Sequence, residues 1–219
     1  MFRSVIFNTV KNLLLTCALM AGFSAITMAA DLHVQLTDKN GNPLSDAVVF
    51  ATPLKGSLPP PDVNARTTIG QRDMQFTPYV TAIRTGTQID FPNFDKMEHH
   101  VKSFSATKEF EIKTYEKGVT PPPVTFDKTG VVIVYCLLHN WMRAYVLVLD
   151  TPYFSKSETD GSVLLKLPAD GEYKIEAWHP QLGAIRPALQ QTVPVSGKNG
   201  FLKFQFDFVP VPRRSKQTS

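Results

Sequence analysis

The chain has 219 residues, of which 43% are hydrophobic and 19% are charged, and its formal net charge is +4 at pH 7. This small positive charge gives no general reason to expect nucleic-acid binding, because nucleic-acid-binding domains are usually strongly basic. The 17 prolines disfavour a mainly helical protein. The length suits one large domain or two small ones.

Residues 1–30 predict a secretory signal peptide. Arg3 and Lys11 are the only charges of this segment, an apolar core follows them, and the segment ends in two alanines. We therefore expect cleavage near Ala30 and export to the periplasm. An uncleaved membrane anchor is the alternative, because the apolar part is long. No other apolar run is long enough to span a bilayer, so we expect no membrane span in the mature chain.

Cleavage would remove Cys17 and leave Cys136 as the only cysteine. The mature chain would then carry 21 basic and 19 acidic residues, a net charge of +2. A disulfide within one chain is excluded in that case, although export would permit one. A lone thiol in an oxidising compartment needs burial, a metal ion or a partner chain.

Short runs of alternating apolar residues predict an all-β protein built of β-sandwiches. The run "LHVQL" is followed by the turn-rich segment "TDKNGNPLSD" and by a second strand, "AVVFATPL". The runs "YKIEAW" and "FLKFQFDFVP" repeat this pattern near the C-terminus.

The segment "VQLTDKNGNPLSDAVVFATP" and the later segment "SETDGSVLLKLPADGEYKIEAWHP" resemble complementary halves of a small transthyretin-like sandwich of the carboxypeptidase-regulatory type. This resemblance implies a sandwich made of residues 31–56 and 151–210, a Pro-rich linker at 57–66, an inserted domain at 67–150 and a basic tail at 211–219. The residues that match the family pattern are Asp38, Gly41, Pro43, Leu44, Asp46, Ala47 and Val49 in the first half, and Thr159, Asp160, Gly161, Leu167, Pro168, Gly171 and Tyr173 in the second.

The segment "CLLHNWM" places Cys136, His139 and Met142 three residues apart in succession. A soft thiolate, an imidazole and a weak axial thioether are ligands of a mononuclear blue-copper site, which also needs a second imidazole. A single tight loop between two strands can bring all three side chains round one ion. The second imidazole is expected from His99 or His100 in "MEHHV".

Residues 67–150 resemble a small cupredoxin of the amicyanin and plastocyanin type. The segment "GTQIDFPN" looks like the family pattern G-x-x-V/I-x-F/W-x-N, and "MEHHV" looks like M-x-H-N-V. The segment "FDKTGVVIVYCLLHNWMRAYVLV" matches the Cys–His–Met region of the family in length and register. The whole chain resembles the plastocyanin-like "methylamine utilisation" proteins of bacteria. The resemblance implies a Greek-key cupredoxin sandwich with one type 1 copper ion, Cu(I)/Cu(II).

This resemblance also implies the ligands of the ion. Cys136 and two imidazoles would form a trigonal plane, with Met142 as the long axial ligand. One imidazole is His139, and the register from the following valine favours His99 as the other. His100 takes the position of the family's Asn, and neighbours in a strand face opposite sides, so both are not expected to ligate.

Further residues are expected to support or surround the ligands. Asn93 and His100 would stand behind the ligand loops and orient them. Leu137, Leu138 and Trp141 would form an apolar ring for partner docking around the His139 edge. Small apolar contacts of this kind suit transient redox encounters.

The histidine count limits the chemistry. Five histidines with no H-x-H pair are too few for a multicopper oxidase or a nitrite reductase. A single mature cysteine excludes a dinuclear purple-copper centre, and a structural zinc site would not be expected to include Met. We therefore expect a carrier of single electrons rather than an enzyme. Its partner would be a periplasmic dehydrogenase, a c-type cytochrome or another copper protein.

Two other functions stay open at this point. The same soft ligands would serve a periplasmic copper-binding or delivery protein without an electron-carrier role. The chain would also suit a non-redox interaction module in which the copper is structural. Of the other histidines, His33 is expected to be solvated and His179 to pack at a sandwich end.

Overall fold

The computed structural model describes residues 30–168, 170–197 and 200–213. The predicted signal peptide, apart from Ala30, therefore lies outside the described residues, as do residues 214–219 of the predicted basic tail. The described residues form strands, turns and one short 3₁₀ helix, which confirms the predicted all-β fold class. No helix among them is both long and apolar enough to cross a bilayer.

The strands follow one another along the described chain. They are β1 (Ala30–Thr37), β2 (Val48–Pro53), β3 (Arg66–Thr68), β4 (Gly70–Arg72), β5 (Gln75–Thr77), β6 (Val80–Arg84), β7 (Thr87–Asp90), β8 (His99–Ser105), β9 (Lys108–Tyr115), β10 (Val124–Phe126), β11 (Gly130–Tyr135), β12 (Arg143–Leu149), β13 (Phe154–Lys156), β14 (Ser162–Leu167), β15 (Gly171–Trp178), the 3₁₀ helix Pro180–Leu182, β16 (Leu189–Val195) and β17 (Gly200–Gln205).

The sheets divide these strands into two groups by chain position. The outer group comes from the two ends of the described chain and forms a three-stranded sheet, β14-β1-β17, and a four-stranded sheet, β13-β2-β15-β16. The inner group, β3 to β12, forms a five-stranded sheet, β6-β12-β11-β8-β9, a three-stranded sheet, β10-β7-β3, and the β4-β5 ribbon. A domain inserted between the two halves of another domain would produce this grouping. The transthyretin-like identity of the outer sheets and the domain boundaries stay predictions.

A close backbone contact joins the two halves of the outer sheets. The Leu36 N–H donates to the Gly161 carbonyl at 2.9 Å. Gly161 has a φ of +76°, and a Cβ at this position would lie 2.4 Å from the Leu36 carbonyl oxygen. Only glycine accommodates both the positive φ and this approach.

The turn that follows β1 is ordered by an aspartate. The Asp38 carboxylate accepts the N–H groups of Asn40 and Asn42 at 2.8 and 2.9 Å and so orders the "DKNG" turn.

Strand β12 is buried on both faces and connects two hydrophobic cores. Ala144 and Val146 enter the core between the inner sheets. Tyr145 and Leu147 point the other way, into a core that the inner group shares with the outer sheets. Successive strand residues face opposite sides, and a strand covered on both faces carries a continuous apolar run. The outer sheets therefore cover the back of the five-stranded sheet, which the sequence patterns did not predict.

Leu147→Ala is expected to lower the free energy of unfolding by about 2–5 kcal/mol, because it leaves a cavity in the shared core. Leu164→Ala is the matched control, since Leu164 is 41% exposed on β14. The control should change the free energy by less than about 0.5 kcal/mol. Equilibrium urea denaturation measures both values, and equal effects would contradict the shared core.

His179 is buried at one end of the outer sheets and begins the 3₁₀ helix. Its Nδ1 accepts the Gln181 N–H at 3.1 Å, and its ring lies 5.1 Å from the ring of Phe208, between centroids. Burial lowers the pKa of His179 to about 4, although the Asp46 carboxylate and the Ser45 carbonyl favour the charged ring. The folded state therefore holds this imidazole neutral at pH values at which the unfolded chain protonates it.

This difference predicts an acid sensitivity of the fold. A histidine pKa of about 4 in the folded state, against 6.5 in the unfolded state, gives stability that is fully present above about pH 6.5. That stability is lost as the pH falls towards 4. His179→Asn removes the titration and keeps an acceptor for the Gln181 N–H. Between pH 7 and pH 4 the original protein should lose about 3 kcal/mol more than the variant in urea denaturation, and equal losses would disprove the assignment.

Candidate metal centre

The segment "CLLHNWM" forms the turn that joins β11 to β12. The two strands pair antiparallel, with Tyr135 opposite Arg143, so the ends of the turn are held together. Inside the turn the Met142 N–H donates to the His139 carbonyl at 2.9 Å, and the Cys136 N–H donates to the Met142 carbonyl at 3.3 Å. The predicted ligands of this segment therefore lie on one compact, hydrogen-bonded loop.

Three donor atoms come together at this loop. The Nδ1 atom of His99 lies 3.8 Å from the Sγ atom of Cys136, and the Nδ1 atom of His139 lies 3.5 Å from it. One donor atom from each of the three residues lies within 4.8 Å of the other two. Zinc sites have metal–nitrogen bonds of about 2.0 Å and metal–sulfur bonds of about 2.3 Å, which in a trigonal arrangement separate N from S by about 3.8 Å. The three donors therefore fit round one transition-metal ion.

The chemistry and burial of these residues fit copper. The side chains are buried: His99 is 0% exposed, Cys136 3% and Met142 1%. Cys136 and Met142 belong to the apolar core between the inner sheets. A thiolate and two imidazoles with a thioether on the same loop, in apolar surroundings, are the residues of a type 1 copper site.

His99 and His100 are neighbours in β8 and have different partners, because successive strand residues face opposite sides. The register between β8 and β9 shifts between His99 and Val101. His99 lies beside Cys136, whereas the Nε2 atom of His100 lies 2.9 Å from a carboxylate oxygen of Glu111 on β9. The Nδ1 atom of His100 is buried and has no hydrogen-bond partner within the described part of the chain. The structure thus brings His99, and not His100, to Cys136.

Asn93, which the sequence predicts to orient the ligand loops, lies completely buried behind them. Its Nδ2 donates to the Met97 and Tyr115 carbonyls at 2.8 and 3.1 Å. Its Oδ1 accepts the Asp95 N–H at 2.9 Å. A buried amide whose donors and acceptor are satisfied makes its surroundings rigid. Asn93 thereby connects the segment that precedes His99 to the end of β9.

Asp95 is a residue of the site that sequence reasoning missed. Its Oδ2 lies 2.7 Å from the Nε2 atom of His99. The same carboxylate accepts the N–H groups of Asp73 and Met74 at 2.6 and 2.9 Å. Burial raises the pKa of Asp95, but the hydrogen bonds from Met74, His99 and Asp73 outweigh it and hold this pKa below its ordinary value. No sequence pattern marks Asp95, because two of its partners come from the distant β4-β5 turn.

The predicted apolar ring round His139 has an exposed part and a covered part. Leu137 and Leu138 are 55% and 52% exposed. Trp141 is only partly exposed, its ring lies 5.4 Å from that of His139 between centroids, and its Nε1 donates to the Met74 carbonyl at 3.1 Å. Trp141 therefore supports His139, and its predicted docking role stays a prediction. Exposed apolar side chains on the loops next to Asn93 are Phe94, Met97 and Val119.

No family model matches the chain, and no curated protein matches its sequence. Solved cupredoxins are similar to part of it. A purple cupredoxin from Nitrosopumilus maritimus is 23% identical with a TM-score of 0.34, over 39% of this chain and 100% of that protein. A reduced amicyanin variant is 19% identical with a TM-score of 0.36, over 45% of this chain and 98% of amicyanin.

A copper-containing nitrite reductase from Thermus scotoductus SA-01 is 21% identical with a TM-score of 0.36. The matched region covers 45% of this chain but 25% of the reductase.

Proposed function

We propose that this chain is a type 1 copper protein that carries single electrons between redox partners in the periplasm. The observation that supports it is the cluster of His99, Cys136 and His139, in which one donor atom from each residue lies within 4.8 Å of the other two. A bound copper ion would supply the one-electron couple Cu(I)/Cu(II). The finer assignment, to plastocyanin-like proteins of methylamine utilisation, rests on the sequence resemblance. The periplasmic location rests on the predicted signal peptide.

The chain's own contacts keep the donor atoms in place whichever charge the ion carries. His99 is held by Asp95 at 2.7 Å. The Cys136 N–H is bonded to the Met142 carbonyl within the loop. His139 packs against the rings of both His99 and Trp141, with centroids 4.9 and 5.4 Å away. Groups that are already positioned need little reorganisation when charge changes beside them. Little rearrangement would therefore accompany each electron.

His139 is the donor that lies nearest to solvent. It is partly exposed, whereas Cys136 and His99 are buried. The neighbouring Leu137 and Leu138 are exposed and uncharged. Small, weakly charged apolar contacts suit brief encounters between redox proteins. A periplasmic dehydrogenase, a c-type cytochrome or another copper protein would bring its redox group to this face.

Reconstitution with Cu(II) is expected to produce an intense blue thiolate-to-copper absorption band. Cys136→Ser should abolish the band, because it removes the thiolate. Met142→Leu is the matched variant, since it removes only the thioether; it should keep the band and shift the reduction potential. Absorption spectroscopy and cyclic voltammetry measure both effects.

A blue band that survives Cys136→Ser would defeat the assignment. Rapid loss of Cu(I) to a chelator, with no reversible couple, would instead favour copper delivery. The burial of His99, Cys136 and Met142 leads us to expect slow loss.

Leu138→Lys is expected to slow electron self-exchange between two copies of the protein by at least about tenfold. Two copies must bring their His139 edges together, and a lysine on each surface adds like-charge repulsion there. NMR line broadening in mixtures of the Cu(I) and Cu(II) forms measures the rate at fixed ionic strength. Leu164→Lys adds the same charge on β14 and should leave the rate nearly unchanged; similar slowing by both variants would argue against this docking face.

A further inference from the structure

A carboxylate stands behind one imidazole of the candidate centre. The two ring nitrogens of His99 face different partners: Nε2 lies 2.7 Å from the Oδ2 atom of Asp95, and Nδ1 lies 3.8 Å from the Sγ atom of Cys136. A neutral imidazole carries one hydrogen, and an ionised carboxylate only accepts hydrogen bonds. The hydrogen of His99 therefore belongs on Nε2, and the Nδ1 lone pair faces Cys136.

We propose that Asp95 is a positioning residue that fixes the tautomer of His99 and lowers the reduction potential of the centre. The proposal rests on the proposed copper function. A carboxylate that accepts the second N–H of a ligating imidazole orients the ring and raises its basicity. Its negative charge stands one imidazole ring away from the Nδ1 donor, so it would stabilise bound Cu(II) more than bound Cu(I). The reduced protein then gives up its electron more readily.

The carboxylate itself is firmly held. The Asp95 side chain is 11% exposed. It accepts the backbone N–H groups of Asp73 and Met74 at 2.6 and 2.9 Å, and its own N–H donates to the Oδ1 atom of the buried Asn93 at 2.9 Å. Contacts from two separate segments thus set its orientation before any metal arrives.

The turn that Asp95 binds has an unusual backbone. Asp73 and Met74 connect β4 to β5, and both have a φ of +54°. A side chain with a Cβ disfavours this left-handed region, and a methionine there is uncommon, whereas Asp and Asn tolerate it better. Because the carboxylate takes both N–H groups of the turn, it stabilises this conformation. The turn then presents the Met74 carbonyl to the metal-binding loop.

The contacts continue to the second imidazole. The Met74 carbonyl accepts the Nε1–H of Trp141 at 3.1 Å, and Trp141 packs against the ring of His139. The rings of His99 and His139 lie 4.9 Å apart between centroids. One carboxylate therefore supports His99 directly and His139 through the turn and Trp141.

Asp95→Asn tests this role. The amide keeps the size of the side chain but replaces one oxygen by an NH₂ group, so it cannot accept all three hydrogen bonds. Retention of Cu(II), measured by competition with a chelator, should weaken by about 10–100-fold. The variant should lose more affinity for Cu(II) than for Cu(I). The reduction potential should rise by about 59 mV for each tenfold difference between these two losses. In the metal-free protein, ¹⁵N NMR of His99 should show the Nε2–H form in the original chain and a mixture of tautomers in the variant.

Asp73→Asn is the matched control. It removes the same charge next to the same turn, leaves the N–H that binds Asp95, and places an Asn where the backbone has a positive φ. Its potential and its His99 tautomer should stay close to those of the original protein. If thermal denaturation shows that Asp95→Asn does not fold, the same measurements are made on Asp95→Glu instead. It moves the carboxylate by one methylene away from Nε2, so tautomer mixing and weaker Cu(II) retention are expected again.

The outcomes separate this proposal from the proposed function. Suppose that the original protein shows the blue band. If Asp95→Asn then keeps the original potential and His99 tautomer, or does not differ from Asp73→Asn, the role of Asp95 is overturned and the copper function stands. An original protein without a blue band would defeat the copper function. The tautomer of His99 in the metal-free protein would still decide whether Asp95 positions the ring.

Discussion

The antiparallel pairing of β11 with β12 is the constraint on which the rest of the inner sandwich depends. It places Tyr135 opposite Arg143, so the seven residues between them must turn back within a short distance. Cys136 and Met142 occupy the two ends of that turn, and a backbone hydrogen bond joins them. The same pairing fixes the position of β12. One face of this strand contributes to the core between the inner sheets, and the other contributes to the core shared with the outer sheets.

This shared core gives a physical reason for the presence of the outer sheets. The outward-facing side chains of β12 are large and apolar, and an uncovered five-stranded sheet would expose them to water. The outer sheets bury Tyr145 and Leu147 together with their own residues. Tyr145 lies in ring contact with Trp178 of β15, 6.1 Å between centroids. Strand β12, which follows the "CLLHNWM" loop, is thus packed against other residues on both of its faces. This packing restrains the loop as well.

Three polar residues within this apolar setting are joined by hydrogen bonds. Asn93, Asp95 and His99 are joined by hydrogen bonds of 2.9 and 2.7 Å, and the Asn93 amide also donates to the Met97 and Tyr115 carbonyls at 2.8 and 3.1 Å. In surroundings of low dielectric such a network specifies one arrangement, because an unpaired member would be costly. The network therefore does for the His99 imidazole what the β11–β12 turn does for Cys136: it holds a predicted metal ligand in place through contacts within the chain.

The sequence alone determined the all-β class and the loop of the candidate site. Both are local: alternation of apolar residues has the period of a strand, and Cys136, His139 and Met142 are neighbours along the chain. It also pointed to Asn93 and favoured His99 over His100 through a family pattern. Only the tertiary structure showed Asp95 behind the imidazole, Trp141 turned towards the site and β12 buried on both faces. These features depend on contacts between segments that are far apart in sequence. No local sequence pattern encodes how such segments are aligned with one another or which side chains they turn towards each other.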